Sequence, residues 1–263
     1  MKIFRAEFNN NYLTYTFGYA EYALMESVSD LHLLYQNGFL PFSANIKLNY
    51  PVFYMARSLR VNSALFSDSS ENRRVNRKVS EFEPEIERIA LSKEFTKDEK
   101  FLNFCLSYAE ERFTNNAMNR ERLQYIFGCG IATDIFRFTK KNDSEPFAYV
   151  LSAIDGNSLH FWFSFFDTSY LKDIPVGKWL MWRMIKWAQE NSISYIYLGT
   201  TYGEKSLYKI RDFNGLEFFD GTFWNDDIGL LKEKCKTDSI MPEADSFKLF
   251  PNANQFIKKL KTS

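Results

Sequence analysis

The spacing of apolar positions changes along the chain, and the changes mark out its parts. Residues 1–25 are rich in Tyr and Phe and read as strand and turn, ending near Phe17-Gly18-Tyr19. Over 26–37, Val28, Leu31, Leu34 and Tyr35 recur at helical spacing, and Gly38 stands where a helix C-cap belongs. Pro51-Val52-Phe53-Tyr54-Met55-Ala56-Arg57 reads as a short strand-like stretch, followed by 58–66. The segment 69–79 opens on the capping residues Ser69 and Ser70 and predicts a helix. Residues 80–97 are charged, contain Pro84 and read as a connection between two parts. Phe101, Phe104, Cys105, Tyr108 and Ala109 then predict an amphipathic helix over 97–112, and 119–127 a shorter one ended by Gly128.

Past Gly128 the pattern becomes strand-like. Residues 133–139 and 147–154 alternate across a polar turn, and 159–166 is a nearly continuous aromatic run. Val176, Trp179, Leu180, Met184, Ile185 and Ala188 next share one broad face of a long helix that begins after Pro175. Tyr195-Ile196-Tyr197-Leu198 reads as a short buried strand stopped by Gly199. A second helix is expected over 204–211, and two closing strands around Phe218-Phe219 and over 222–224. After Trp224 the chain is polar and ends near Lys258, Lys259 and Lys261.

Composition narrows the classes of function. The 263 residues carry 33 Lys+Arg against 33 Asp+Glu, a formal net charge of +0. A chain of this length buries enough surface to fold without a disulfide or metal staple. Zero net charge argues against a bulk polyanion binder but leaves room for local clusters. Arg73, Arg74, Arg77 and Lys78 form one on the 69–79 helix, readable as a solvated face or as a polyanion contact. Lys178, Arg183 and Lys186 form a second on the polar side of the long helix. Cys105, Cys129 and Cys235 stand far apart without a C-x-x-C pair, and His32 and His160 are the only histidines. No metal site is therefore expected. No apolar run reaches the ~18 residues of a membrane span. The start MKIFRAEFNN lacks the apolar core of a signal peptide, so a cytoplasmic chain without a membrane partner is expected. Nothing in the pattern sets an oligomeric state. The aromatic share of 18% reads mainly as core packing.

Three alternating strands, a long helix, a short strand, a helix and a closing hairpin follow the order of the GNAT acyltransferase core. Residue detail narrows this further. Phe165-Phe166-Asp167, Pro175-Val176-Gly177, Tyr195-Ile196-Tyr197-Leu198-Gly199 and Ser206-Leu207-Tyr208-Lys209 resemble, in order and spacing, the C-terminal domain of arginyl-tRNA–protein transferases. Upstream, Leu34-Tyr35-Gln36-Asn37-Gly38-Phe39, Tyr54-Met55-Ala56-Arg57 and the run from Ser69 to Lys78 are similar to that family's N-terminal elements. The family's cysteines, which bind a metal or iron–sulfur centre, are absent: their counterparts are Phe17-Gly18-Tyr19-Ala20 and Tyr50-Pro51. The Arg-Arg-Ser-Gly expected after Phe39 reads Leu40-Pro41-Phe42-Ser43, and Thr200-Thr201-Tyr202 replaces the Trp-Ile that follows Leu-Gly.

The fold expected is thus α/β (α+β): a smaller N-terminal α+β domain over 1–90, a GNAT-like acyltransferase core over 91–225 and a C-terminal extension over 226–263. The function the resemblance implies is transfer of an amino acid from aminoacyl-tRNA, as co-substrate and without a further cofactor, to the amine of a peptide or protein N-terminus. Such an ester is already activated, so the protein must mainly align amine and ester and stabilise the oxyanion. In a GNAT-like core that work falls to backbone N–H groups where the strands over 159–166 and 195–199 splay apart. Asp167, at the end of the first strand, is the carboxylate best placed as a base, or else a turn residue. Tyr197 and Gly199 match the family's motif and complete the expected catalytic set. Family acceptors begin with an acidic residue; Arg57 and Lys209, with Tyr208, occupy the matching positions and are expected to bind it. Arg73, Arg74, Arg77, Lys78, Lys178, Arg183 and Lys186 are expected at the tRNA. Two alternatives stand beside this reading. One is an acyl-CoA-dependent GNAT N-acyltransferase, against which Lys172-Asp173-Ile174-Pro175-Val176-Gly177-Lys178-Trp179 offers one glycine where a phosphate-cradling loop has more. The other is a non-catalytic GNAT-like binding module.

Overall fold

The computed structural model of the chain describes residues 1–11, 16–43, 46–48, 50–113 and 118–240. Lys258, Lys259 and Lys261 lie outside the described residues. The chain divides into two compact units, one of Met1–Leu59, Thr200–Tyr208 and Glu217–Ser263, the other of Arg60–Gly199 and Lys209–Leu216. Residues 60–90, expected in the N-terminal domain, therefore pack with the second unit, and the described part of the C-terminal extension packs with the first.

The elements, in chain order, begin with β1 (Lys2–Asn11), β2 (Thr16–Leu24), α1 (Leu31–Gln36), β3 (Phe39–Pro41), β4 (Val52–Met55) and β5 (Ser58–Asn62). Next come α2 (Ser70–Ser80), β6 (Pro84–Ala90), α3 (Glu99–Arg112) and α4 (Arg120–Gly128). The chain continues with β7 (Asp134–Lys140), β8 (Pro146–Ile154), β9 (Ser158–Phe166), α5 (Val176–Glu190) and β10 (Tyr195–Thr200). It closes with β11 (Leu216–Phe219), β12 (Trp224–Asn225) and α6 (Ile228–Ile240).

In the first unit, β1, β2, β4 and β3 form an antiparallel sheet in that order. Phe17-Gly18-Tyr19 lies inside β2 rather than ending it. Gly38, after α1, takes φ +78 and lies under the Phe219 ring, where an added Cβ would stand 2.2 Å from ring carbon. Only glycine satisfies both demands there. The polar stretch after Trp224 contains α6, which sequence reading leaves as extension. Asp227 caps it by accepting from the Leu230 N–H, and Leu231 and Cys235 are fully buried.

In the second unit the sheet runs β5-β10-β9-β8-β7-β6, antiparallel from β6 to β9 and parallel between β9 and β10. The parallel pair requires a crossover, which α5 provides. Ile135, Tyr149, Leu151 and Phe165 on one sheet face pack with α3 and α4 through Phe101, Leu102, Cys105, Leu123 and Phe127. Phe136, Phe138 and Phe147 turn to the other face, where Trp187 and Trp179 of α5 meet them edge-on or tilted. These packed aromatics account for much of the aromatic share, each ring burying roughly 150–250 Å². The expected connection over 80–97 holds β6, an edge strand that begins on Pro84 and faces solvent with Glu85, Glu87 and Arg88. Proline at the first position and charge along the rim are how an edge avoids further pairing. The 204–211 helix is a 3-10 turn over Glu204–Ile210.

Candidate active site

The parallel pairing of β9 and β10 covers Tyr195↔Ser158, Ile196↔Leu159 and Tyr197↔His160, and among the described residues it ends there. Both strands run on, β9 to Phe166 and β10 to Thr200. A register shift in β9, where Leu151 faces Phe163 but Ser152 faces Phe161, leaves Trp162 as a bulged residue beside the same point. A bulge bends its strand and ends regular pairing. The backbone groups of β9 and β10 beyond His160 and Tyr197 are thereby released from one another.

Side chains paired across a sheet point to the same face. Ser158, His160, Tyr195 and Tyr197 therefore form one row, continued by the open face of Gly199. This row is polar. Ser158 and His160 are buried, and Arg60 on β5, itself 7% exposed, lies over the Tyr195 ring at 3.9 Å and 3.5 Å from the Tyr197 hydroxyl. Lys209 reaches over the row. A methyl built on Gly199 would stand 3.5 Å from Lys209 Nζ, and Gly199 holds φ +84. Burial lowers the Lys209 ammonium to about 8. Burial, reinforced by the nearby Lys209 charge, lowers His160 to about 3, so its imidazole is neutral. Burial raises Tyr197 to about 12, with Arg60 pulling the other way.

The expected site residues thus separate. Gly199 and Lys209 meet at the splay. Tyr197 is fully buried. Asp167 directly follows the last residue of β9, seven residues beyond His160, where Gly199 is two beyond Tyr197. Its carboxylate instead caps the following turn by accepting from the Ser169 N–H at 2.9 Å. In the first unit, Tyr208 is exposed and Arg57 is already engaged. Arg57 donates to Asp238 at 2.6 and 3.3 Å, and the same carboxylate accepts from the Gly203 N–H at 3.0 Å. Arg57 also stacks on Tyr202 at 4.8 Å. Its carboxylate partner in this structure belongs to α6.

The basic clusters also differ. Arg73, Arg74, Arg77 and Lys78 are exposed along α2, opposite buried Asn72, Val75 and Val79. Arg74 forks onto Glu71, Arg73 donates to the Asp68 carbonyl and Lys78 to the Asp173 carbonyl. Lys178, Arg183 and Lys186 of α5 are partly buried and ion-paired with Asp212, Glu190 and Asp68. Their charge is largely neutralised within the unit.

The Val176, Lys178 and Trp179 amides of the turn into α5 are taken up within the turn. The Val176 N–H donates to the Ile174 carbonyl, and the Lys178 and Trp179 N–H groups to that of Pro175. The Phe166 ring lies over Gly177, 3.2 Å from where a Cβ would be, and Trp179 is buried in the core. An anion cradle needs free, approachable amides at this place.

Sequence reasoning missed His160 in the polar row and Arg60 over it. His160 reads as an isolated structural histidine, and only the strand register puts it under Gly199 and Lys209. Arg60 carried a local signal, a lone cation in the apolar run Leu59-Arg60-Val61.

Residues 129–209 match the model of the acetyltransferase (GNAT) domain. No curated protein matches the chain. Among solved structures, L-PGS from Bacillus licheniformis matches at a TM-score of 0.41 and 13% identity, over 65% of this chain and 51% of that one. A conserved protein of unknown function from Bacteroides thetaiotaomicron matches at 0.42 and 12% identity, over 71% and 62%. FemX matches at 0.40 and 13% identity, over 78% and 68%. The chain spans about half the length of the first of these. The second unit has the α+β architecture of a GNAT-like core. Among the described residues no helix is long and apolar enough to cross a membrane.

Proposed function

We propose that the chain is an aminoacyltransferase that moves an amino acid from aminoacyl-tRNA to the amine of a peptide or protein N-terminus, as the resemblance to arginyl-tRNA–protein transferases implies. The observation that carries this reading is the pairing of an open β9–β10 splay with a closed turn before α5. The splay offers a place for an acyl carbonyl to meet backbone N–H donors, and the locally bonded amides and the Phe166 ring at the turn disfavour a CoA pyrophosphate there. A donor that brings its acyl group on a macromolecule removes the need for that cradle. The oxyanion would be met by released N–H groups of β9 and β10, and the glycine at 199 lets the acyl carbon approach the backbone closely. The exposed α2 cations are the surface for tRNA phosphates, with the α5 cations secondary because they are ion-paired.

Incubation with each radiolabelled aminoacyl-tRNA and a set of peptides varied at the N-terminal residue tests this. Label in peptide from at least one charged tRNA is expected. An acyl-CoA-dependent transferase is the second reading, favoured by the acetyltransferase model that matches residues 129–209. It predicts label from acetyl-CoA instead.

A further inference from the structure

The carboxylate that Arg57 holds in the first unit comes from α6, yet the place that holds it is built without α6. The Arg57 N–H donates to the Tyr202 hydroxyl at 2.8 Å, and the Arg57 carbonyl accepts from the Thr201 N–H at 2.9 Å. The guanidinium lies on the Tyr202 ring and donates to the Thr201 carbonyl at 3.4 Å. These contacts involve only the segment between β4 and β5 and the loop after β10. The Gly203 N–H of that loop aims at the same spot: it donates at 3.0 Å to the Asp238 oxygen that Arg57 takes at 2.6 Å. A fixed guanidinium fork and a backbone N–H that converge on one carboxylate form a preorganised site for that group, whichever molecule supplies it.

We propose that Asp238 is an internal stand-in at this site, and that α6 is a latch whose end gives way to an acidic residue brought by a peptide. Naming a peptide as the carrier rests on the aminoacyl transfer proposed above; the latch itself rests on the site around Arg57.

The way α6 is held suits a latch. Among its described residues Leu231 and Cys235 are buried, one turn apart, and Asp238 follows three residues later on the same side. Past Cys235, Lys236 and Thr237 are exposed, so among the described side chains Asp238 is the one that ties this end of α6 to the site. A helix held by two buried side chains and one ion pair opens ahead of the core. Arg57 and Asp238 both keep part of their surface in water, so a competing carboxylate reaches the fork as the end of α6 lifts. The exchange replaces one carboxylate by another and leaves no guanidinium unpaired.

The test is a calorimetric titration without tRNA. Two C-terminally amidated peptides, identical except for Asp or Asn as the N-terminal residue, are added to wild type, Asp238→Ala, Asp238→Asn, Glu233→Gln and Arg57→Gln. A site filled by its own chain binds with an affinity reduced by the filled fraction, so Asp238→Ala should bind the Asp peptide about 10–30-fold tighter than wild type. Asp238→Asn, which keeps the side-chain shape, should move in the same direction, and the Asn peptide should gain nothing. Glu233 is exposed on the same helix, so Glu233→Gln removes one negative charge away from the site and should keep wild-type affinity. Arg57→Gln should abolish the preference for Asp over Asn. Saturating wild type with the Asp peptide should also speed amide exchange across Ile228–Ile240. Equal affinity in wild type and both Asp238 variants, an equal gain in Glu233→Gln, or α6 exchange unmoved by peptide overturns the latch. Failure of the Asp peptide to bind any of the proteins overturns it as well. Silence in transfer from every charged tRNA overturns the transferase reading instead, because the titration contains no tRNA.

Discussion

Removing the Asp238 carboxylate should loosen α6 measurably, and the size of the effect follows from the geometry of its ion pair. Arg57 grips Asp238 with both guanidinium nitrogens, and the two side chains keep 17% and 24% of their exposure. Breaking a fully buried pair from one side costs about 3–5 kcal/mol, while an exposed pair contributes about 0–1 kcal/mol. A pair with about a fifth of its surface in water falls between these limits, at about 2 kcal/mol. Asp238→Ala leaves the guanidinium without its carboxylate and the Gly203 N–H without its acceptor. Amide exchange along Ile228–Ile240 should then speed up by about 30-fold, which is 2 kcal/mol converted at 1.4 kcal/mol per tenfold. A double-mutant cycle with Arg57→Ala should show about 1–2 kcal/mol of coupling, since the second deletion removes a charge the first has already stranded. Exchange in α6 that stays within twofold of wild type, or a cycle that is additive, would refute the reasoning.

Other consequences follow from single contacts. Gly38→Ala combines a left-handed backbone with a Cβ at 2.2 Å from the Phe219 ring. It should lower the urea unfolding free energy by about 3 kcal/mol or more, and a loss under 1 kcal/mol would mean that the ring moves freely. His160 is held to about 3 when folded, against 6.5 when exposed. Between those values the unfolded chain binds the extra proton, so stability rises with pH across pH 3–6.5 by an amount on the order of 5 kcal/mol. His160→Gln should remove that slope from urea midpoints measured at stepped pH; an unchanged slope would mean another group titrates there. Replacing Arg73, Arg74 and Arg77 by glutamine should weaken tRNA binding and reduce the slope of log K against log salt by about 2–3, read by filter binding. An unaltered slope would remove α2 from the interface.

The core was readable because its elements are locally encoded. The alternation of Phe147 to Ile154, the aromatic run ending at Phe166 and the one-sided apolar face of α5 need no distant partner to be recognised. Other elements needed one. The edge strand β6 shows only Ile86 and Ile89 among charges, because one rim of it meets water, and so it reads as a connection. In α6, buried Leu231 and Cys235 stand among Lys232, Glu233, Lys234 and Lys236, which dilute the helical period until the cap at Asp227 is noticed. The site divides in the same way. Gly199 and Lys209 carry a motif in the chain. The ion pair between Arg57 and Asp238 spans 181 residues, and the alignment of His160 with Tyr197 depends on strand register. Neither is encoded in any short window of sequence.

Acyl groups should reach the β9–β10 splay from tRNA and not from CoA. The most direct measurement offers wild-type protein the full set of radiolabelled aminoacyl-tRNAs and, in parallel, radiolabelled acetyl-CoA, with the same peptide acceptors. Label in peptide is expected from a charged tRNA and none from acetyl-CoA. Label from acetyl-CoA with none from any aminoacyl-tRNA would contradict it.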